Sequence, residues 1–354
     1  MSTYSNPFTS SSPHTIHTDF VPQTLSSKAR ITAIGSYVPD KRLTNFDLEK
    51  LVETSDEWIV RRTGIRERRI AELNQFTSDL CLQAVHHLQQ AYDKELEDVD
   101  FIIVCTTTSD YPFPSVASQL QAKLSIRSAG ALDLNATCAG FVYGLHLANS
   151  LVSSGLHQKV LVVAGETLSK VTDYSDRNTC VLFGDGAGAA LIERDEQNPS
   201  FLHSFMSSNG HGGIHLYRTG LSKQMGDVEL LGEGNIYQNG RELYKWVVSQ
   251  LPQGMNQLVT DSNLSLLDVD WFVPHSANLR MIESICEKSG FPLERTLYSL
   301  EYFGNTSCAT IPLALDMALS TQQIKQDDTA ILYGFGGGLV QAASLVRLSL
   351  DKRK

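Results

Sequence analysis

The chain has 354 residues, 42% of them hydrophobic, which is enough for two core-bearing halves or one large domain. Its 39 acidic residues exceed its 29 basic ones, which disfavours nucleic acid as the main partner and requires any acidic partner to meet a local basic patch. Six cysteines without a CxxC pair or metal-ligand spacing are typical of a reduced, cytoplasmic setting and predict no metal site. The sequence holds no run of about 18 apolar residues, so no membrane span is predicted.

The N-terminal part of the chain separates into a tail and two capped helices. Residues 1–28 are rich in Ser, Thr and Pro and lack an apolar signal segment, so we expect a disordered tail. The sequence Thr44-Asn-Phe-Asp47 resembles a capping box that opens a short helix. Ser55 is expected to cap a second helix over residues 56–62.

Five arginines lie within nine positions at the end of this second helix and directly after it. They form a cationic cluster that is either a solvated face or an anion-binding site, and Trp58 beside them offers a flat surface for stacking. The five are Arg61, Arg62, Arg66, Arg68 and Arg69.

A strand, a turn and a helix are predicted around Cys138. The preceding helix over residues 78–92 and the buried strand over residues 101–105 show the patterns of an α/β chain. The stretch 131–147 then starts apolar, breaks at a polar turn and resumes with helical spacing. A thiol at such a helix start faces free N–H groups, which lowers the pKa of a cysteine. Cys138 is therefore either a nucleophile or a buried structural cysteine.

The middle of the chain is less regular. The glycines of residues 184–188 are expected to precede a strand over residues 189–192, and because a dinucleotide loop opens a helix instead, that interpretation is rejected. Residues 195–235 are polar and glycine-rich and are expected to connect two halves. A long helix over residues 239–259, bent at Pro252, comes next.

The sequence repeats itself at an offset of 170 residues. Asp-Val-Asp followed by an apolar strand occurs at 98 and at 268, Asn135-Ala-Thr-Cys138 aligns with Asn305-Thr-Ser-Cys308, and the strand at 162 aligns with that at 332. The repeat predicts an internal duplication, with halves at residues 29–200 and 201–354 that share one α/β topology.

The same offset places three reactive side chains at equivalent strand ends. His275 falls just beyond a buried strand, and Cys138 and Asn305 fall in the turns before two related helices. Since ligands bind at the carboxyl ends of parallel strands, we expect these three residues to share a site. A purely structural role for His275 is the competing interpretation.

Six motifs over residues 29–350 resemble the ketoacyl-acyl carrier protein synthase III family, most closely the second isozyme of Bacillus-like bacteria, which favours short branched primers. The resemblance implies a thiolase fold, two duplicated halves in five αβαβα layers, and a homodimer. The motifs are Thr54-Ser-Asp-Glu-Trp-Ile-Val-Arg-Arg-Thr-Gly-Ile-Arg66, Thr137-Cys-Ala-Gly140, Phe183-Gly-Asp-Gly-Ala-Gly188, His275-Ser-Ala-Asn278, Gly304-Asn-Thr-Ser307 and Phe335-Gly-Gly-Gly338.

The resemblance also implies a reaction and the residues that perform it. A short acyl group from acyl-coenzyme A would be held on Cys138 and condensed with malonyl-acyl carrier protein, with loss of CO₂ and without a cofactor. His275 and Asn305 would activate the malonyl unit, and the N–H groups of Cys138 and Gly337 would form an oxyanion hole. The residues implied in binding are Thr54, Trp58, Arg62, Arg177 and Asn278 for coenzyme A and substrate, Phe113, Leu168, Phe183 and Phe335 for the acyl pocket, and Lys245, Arg280 and Lys288 for carrier-protein docking.

The chain departs from the family pattern at two positions near the proposed site. Ser276 stands where many members carry Gln and Leu339 where some carry Phe, which leaves the acyl preference open.

Three rival functions fit parts of the same pattern. A papain-like peptidase shares the order Cys, His, Asn but carries an aromatic residue directly after its cysteine, whereas Ala139 follows here. A related acyltransferase or quinolone- or polyketide-type condensing enzyme would share the fold but tends to alter the His–Asn pair, which is intact in this chain. A non-catalytic binding module would be expected to lose Cys138, His275 or Asn305.

Overall fold

The computed structural model describes residues 26–354 of the chain. The predicted tail at residues 1–28 lies outside these residues except for its last three, which have no regular structure. The first strand begins at Ala29. The helices are α1 (Asn45–Leu48), α2 (Asp56–Thr63), α3 (Thr77–Tyr92), α4 (Val116–Lys123), α5 (Gly140–Ser153), α6 (Gly240–Asp261), α7 (Leu279–Ser289), α8 (Leu300–Phe303) and α9 (Thr310–Ser320).

The strands form two main sheets and three short two-stranded ribbons within the described residues. They are β1 (Ala29–Tyr37), β2 (Arg42–Thr44), β3 (Glu67–Arg69), β4 (Phe101–Cys105), β5 (Gly130–Leu134), β6 (Lys159–Thr167), β7 (Asp185–Arg194), β8 (Phe201–Ser208), β9 (Leu216–Arg218), β10 (Gln224–Met225), β11 (Val228–Glu229), β12 (Ile236–Gln238), β13 (Trp271–Pro274), β14 (Thr329–Gly336) and β15 (Val340–Arg347).

The two main sheets repeat one strand order. The first runs β1-β7-β6-β4-β5, with β4 parallel to both β5 and β6 and the other pairs antiparallel. The second runs β8-β15-β14-β13, with β13 parallel to β14 and the other pairs antiparallel. Each strand of the second sheet thus has a counterpart in the first, and β5 is the additional edge strand. The two sheets therefore have the duplicated topology that the offset of 170 residues predicts.

Five layers result from the way the helices pack. The central helices α5 and α9 each contact strands of both sheets, because their apolar residues cover nearly the whole helix surface. Helix α3 covers the outer face of the first sheet, and α6, with α7 packed on it, covers the outer face of the second. Since both sheets are covered on both faces, strands such as β6 and β14 are buried along almost their entire length.

Several sequence predictions need correction at the level of local structure. Strand β7 begins at Asp185, so the glycines of residues 186–188 lie inside it, where they allow close packing; Gly188, for example, faces the ring of Pro312. The segment predicted as a connection contains β8, in which only Phe201 is buried and the other residues are half-buried or exposed, so that the strand lacks a clear alternating pattern. The predicted long helix is found as α6, which contains Pro252 as one element, and the bend at Pro252 stays a prediction. The boundary between the halves at residue 200 stays a prediction.

Candidate active site

Cys138 lies in a short 3-10 turn, Thr137–Ala139, that joins β5 to α5. Its side chain is 9% exposed, and Thr137 before it has a left-handed backbone with φ +47°. The end of β14 packs directly against this turn: a Cβ at Gly336 would lie 2.9 Å from the Cys138 nitrogen. Only glycine allows that approach, because any side chain would displace the thiol.

The backbone of Gly337 lies beside the same turn. The hydroxyl of Thr137 donates to the Gly337 carbonyl oxygen at 2.9 Å, which fixes the strand end next to Cys138. The arrangement brings the backbones of Cys138 and Gly337 together, as the predicted oxyanion hole requires. Their roles as donors to a substrate oxyanion stay a prediction.

Asn305 precedes a second 3-10 turn, Ser307–Ala309, that leads into α9. It is 5% exposed, and its backbone bridges to the segment at Phe183. Its side-chain oxygen accepts a hydrogen bond from the Ser307 N–H at 2.9 Å. That bond orients the amide, so that its NH₂ group stays available as a donor.

His275 directly follows β13 and is 2% exposed. Its backbone N–H donates to the Tyr333 carbonyl. Its ring lies edge-on to Phe335 at a centroid distance of 5.1 Å, and the ring Nδ1 lies 2.9 Å from Thr310 Oγ1. The hydroxyl of Thr310 is also 2.9 Å from the carbonyl of Ser307. A neutral ring with its proton on Nε2 requires the Thr310 proton to point to Nδ1.

Burial sets the protonation states of both reactive groups. It raises the pKa of Cys138 to about 12 and lowers the pKa of His275 to about 3. The lowering of the cysteine pKa that its position predicted is therefore wrong, because Cys138 precedes α5 inside a closed core and burial outweighs the helix start. A hydrogen bond from Ser307 opposes this rise. His275 is therefore neutral at physiological pH. A neutral ring suits the predicted role, in which the histidine donates a hydrogen bond without transferring its proton.

Trp58 and two arginines form the cationic part of the predicted coenzyme A site. The guanidinium of Arg177 lies 5.0 Å and that of Arg62 5.8 Å from the Trp58 ring centre, and both arginines are exposed. The hydroxyl of Thr54 is buried and has no partner among the described residues. Together they provide a stacking surface, positive charge and an unpaired polar group.

The predicted cluster of five arginines is only partly right. Arg68 is fully buried and donates to the Asn45 side chain and the Val181 carbonyl, and its burial lowers its pKa to about 10. Arg66 pairs with Glu301. The cluster fails as a unit because alternate positions of β3 point inward, which a charge count does not reveal.

Asn278 has a local structural function. Its side-chain oxygen accepts from the Met281 N–H at 2.9 Å and so caps α7 directly after the His275 segment. The resemblance also implies that Asn278 binds substrate near His275. That role, which would use the side-chain NH₂ group of Asn278, stays a prediction.

Three of the four predicted acyl-pocket residues lie together. Leu168, Phe183 and Phe335 are buried in one hydrophobic cluster, and Phe335 contacts the ring of His275. Phe113 lies apart from them and is 85% exposed. Nothing in the described part of a single chain covers this aromatic side chain.

The predicted docking residues lie on two neighbouring helices. Lys245 on α6 pairs with Glu242, and Arg280 and Lys288 lie on α7 without an acidic partner among residues 26–354. Tyr244 and Ser284 join the two helices through a hydrogen bond of 2.7 Å. The three cations are thus available to solvent on one pair of packed helices.

Sequence reasoning missed Ser307, Thr310 and Glu166. Ser307 contacts Cys138, Thr310 contacts His275, and Glu166 is fully buried where it accepts from Thr107 and Thr108. The offset of 170 residues pairs Ser307 with Thr137 and could have drawn attention to it; the other two carry no signal in one sequence.

Two further features concern the described part of the chain as a whole. Across residues 26–354, no group of three or more His, Cys, Asp or Glu side chains is arranged to hold a metal ion. None of the helices in that range combines the length and the apolar character that crossing a bilayer requires.

Family models match segments in both halves of the chain. The model of 3-oxoacyl-[acyl-carrier-protein (ACP)] synthase III matches residues 132–210, and the model of its C-terminal part matches residues 259–348. Beta-ketoacyl-[acyl-carrier-protein] synthase III 2 of Bacillus subtilis is 60% identical over 321 residues, which are 91% of this chain and 99% of the relative.

Solved structures of similar proteins have the same architecture. A beta-ketoacyl-[acyl carrier protein] synthase III from Thermus thermophilus superposes with a TM-score of 0.86 at 41% identity, covering 90% of this chain and 98% of its own. The priming beta-ketosynthase of a polyketide biosynthetic pathway reaches the same TM-score at 30% identity, covering 92% and 97%. The predicted thiolase-type fold is confirmed.

Proposed function

The chain belongs to the 3-oxoacyl-[acyl-carrier-protein] synthase III family, and from that membership we propose that it initiates fatty-acid synthesis. It condenses a short acyl-coenzyme A primer with malonyl-acyl carrier protein to 3-oxoacyl-acyl carrier protein, coenzyme A and CO₂. The observation that carries this proposal is the convergence of Cys138, His275 and Asn305 on the Ser307 turn and the end of β14.

In the first half-reaction the sulfur of Cys138 attacks the acyl carbonyl of the primer. The carbon–sulfur bond to coenzyme A breaks, and the proton of the cysteine leaves with the coenzyme A thiol. The backbone N–H groups of Cys138 and Gly337 stabilise the negative oxygen in the transition state. Trp58, Arg62 and Arg177 hold the nucleotide end through stacking and charge.

In the second half-reaction the malonyl unit loses CO₂. The carbon–carbon bond to the carboxylate breaks, and its electron pair forms an enolate whose oxygen accepts hydrogen bonds from neutral His275 and the Asn305 amide. The enolate carbon attacks the acyl group on Cys138, and the thiolate leaves and takes a proton from solvent. The two steps balance without an electron acceptor, so no redox cofactor enters the reaction.

Intact-mass measurement tests this proposal. Incubation with acetyl- or isobutyryl-coenzyme A should add one acyl group to the wild-type chain and none to Cys138→Ala. Malonyl-acyl carrier protein should then remove the group with release of CO₂. We expect faster acylation by the branched primer. A chain that is never acylated, or an acyl-enzyme that transfers to water or an amine instead, would refute the condensation.

We further propose a homodimer in which Phe113 completes the acyl pocket of the partner subunit. Strand β5 leaves one edge of its sheet open, and Tyr111, Phe113 and Leu132 expose apolar surface near it. Light scattering should give twice the chain mass, and Phe113→Ala should shift primer use toward longer chains. A fully active monomer would contradict this assembly.

The proposal also includes a docking surface for the acyl carrier protein and a cytoplasmic location. The cations on α6 and α7 would meet an acidic carrier protein despite the net charge of −10. All six cysteines are free thiols, which supports a cytoplasmic location.

A further inference from the structure

Ser307 contacts each of the three proposed catalytic residues or its immediate partner. Its hydroxyl donates to Cys138 Sγ at 3.4 Å, and its N–H donates to Asn305 Oδ1 at 2.9 Å. Its carbonyl oxygen lies 2.9 Å from Thr310 Oγ1, whose other neighbour is His275 Nδ1. Among the described residues, Ser307 is the side chain that hydrogen-bonds to the reactive sulfur.

The backbone of Ser307 is held in an unusual conformation. Its φ is +52°, in the left-handed region that non-glycine residues rarely adopt, and the residue is 3% exposed. Such conformations persist where surrounding structure imposes them, and they concentrate at functional sites. Here the conformation directs N–H, carbonyl and hydroxyl of one residue to three neighbours.

We propose that the Ser307 hydroxyl is a catalytic group that donates a hydrogen bond to the Cys138 thiolate during acyl transfer. A sulfur that is enclosed in an apolar core needs such a donor, because burial favours the neutral thiol over the anion. The inference rests on the proposed function, since it assigns Ser307 to the acylation step of that reaction.

The first half of the chain supports a specific role for this hydroxyl. Thr137 occupies the equivalent position with the same left-handed backbone, but its hydroxyl donates to the Gly337 carbonyl. The turn geometry is therefore compatible with either hydroxyl residue, and of the two only the hydroxyl of Ser307 is directed at a sulfur. In agreement, the hydrogen bond of Ser307 lowers the pKa of Cys138 against the opposing effect of burial.

Alkylation of Cys138 by iodoacetamide tests the proposal without any substrate. Ser307→Ala and Ser307→Gly both remove the hydroxyl, and Gly adopts the left-handed backbone without strain. A lost charge-assisted hydrogen bond raises the cysteine pKa by about one unit, so alkylation at a fixed pH between about 7.5 and 9 should slow by about tenfold. Intact mass against a Cys138→Ala blank separates Cys138 from the other thiols.

Two further variants make the result specific. Ser307→Thr keeps the hydroxyl, and Thr137 shows that threonine fits this backbone, so alkylation should recover most of the wild-type rate. Thr306→Val removes the adjacent buried hydroxyl, which has no hydrogen-bond partner among the described residues, and should alkylate like the wild type.

Two outcomes would overturn the role of Ser307. One is wild-type alkylation in both Ser307→Ala and Ser307→Gly, and the other is an equal loss in Thr306→Val. Acylation by acyl-coenzyme A should slow in parallel with alkylation. If the wild type is alkylated with the expected Ser307 dependence but is never acylated, the proposed function fails while the hydrogen bond to the thiolate stands.

Discussion

The two halves of the chain contain the same turn and use it differently. Thr137–Ala139 and Ser307–Ala309 are both 3-10 turns that begin with a left-handed residue and open a central helix. In each, the second residue is a cysteine. Cys138 is 9% exposed and meets a hydroxyl from the other half, whereas Cys308 is 0% exposed and donates to the Cys105 carbonyl.

The residue at the strand end differs in the same way. The offset of 170 residues pairs His275 with Cys105, and burial raises the pKa of Cys105 far above that of a free thiol. The thiol of Cys138 thus meets the Ser307 turn, which also contacts Asn305, whereas the thiol of Cys308 meets the Cys105 carbonyl and the carboxyl group of Glu166. Duplication supplies two equivalent positions, but reactivity depends on which side chains the other half places opposite.

Replacement of the two cysteines gives the largest expected difference. Cys138→Ala should abolish acylation completely yet still allow decarboxylation of malonyl-acyl carrier protein, because His275 and Asn305 remain. Cys308→Ala should retain acylation within a few-fold and cost about 1 kcal/mol of unfolding free energy, because it leaves a small cavity. Intact mass and urea unfolding measure the two effects; loss of acylation in both variants would contradict the distinction.

The next largest effect concerns the residues opposite Cys138. His275→Ala and Asn305→Ala should each lower CO₂ release by about 10²–10³, the usual result of removing one donor to a developing oxyanion, while Cys138 still becomes acylated. Labelled CO₂ release and intact mass on the same samples measure the two steps. If His275→Ala also prevents acylation, the histidine is the general base for the thiol. Cys105→Ala, at the equivalent strand end, is the matched control and should affect neither step.

A smaller effect is expected for the proposed docking surface on α6 and α7. Arg280→Glu should raise the KM for malonyl-acyl carrier protein by about tenfold, because it reverses a charge that we propose meets the acidic carrier protein, and should leave acylation by acyl-coenzyme A unchanged. Lys352→Glu makes the same charge change near the C-terminal end and is the control. Steady-state kinetics with both substrates measure the two effects. An equal loss of activity in both half-reactions would show that Arg280 has a structural role instead.

The smallest expected effect is the pH dependence that His275 adds to stability. Burial lowers its pKa from 6.5 to about 3, so as the pH falls below 6.5 the unfolded chain binds a proton that the folded chain does not. His275 should therefore reduce the unfolding free energy by about 1 kcal/mol between about pH 6.5 and 5.5. Urea unfolding of the wild type and His275→Gln at both pH values measures this; an equal acid sensitivity of the two would show that the ring is not buried in neutral form.

The sequence by itself determined most of the architecture. Helical and strand periodicity predicted α3, β4 and β13 nearly to their ends and the start of α5, and the capping box at Thr44 predicted α1, because each depends on neighbours within a few positions. The offset of 170 residues revealed the duplication and placed Cys138, His275 and Asn305 at equivalent strand ends. Strand β8 was not predicted, because its half-buried pattern differs little from that of a polar connection.

Only the tertiary structure decided how reactive those residues are. The environment of Cys138 comes from Ser307, which is 169 residues away, and from the end of β14, and neither proximity follows from local pattern. The same holds for Arg68, whose charge suggested an exposed ligand site although its side chain is enclosed by Asn45 and Val181. Burial and hydrogen-bond partners are set by packing between distant segments, and because they set the pKa of a thiol or an imidazole, the chemistry of this site emerges only when the two halves are together.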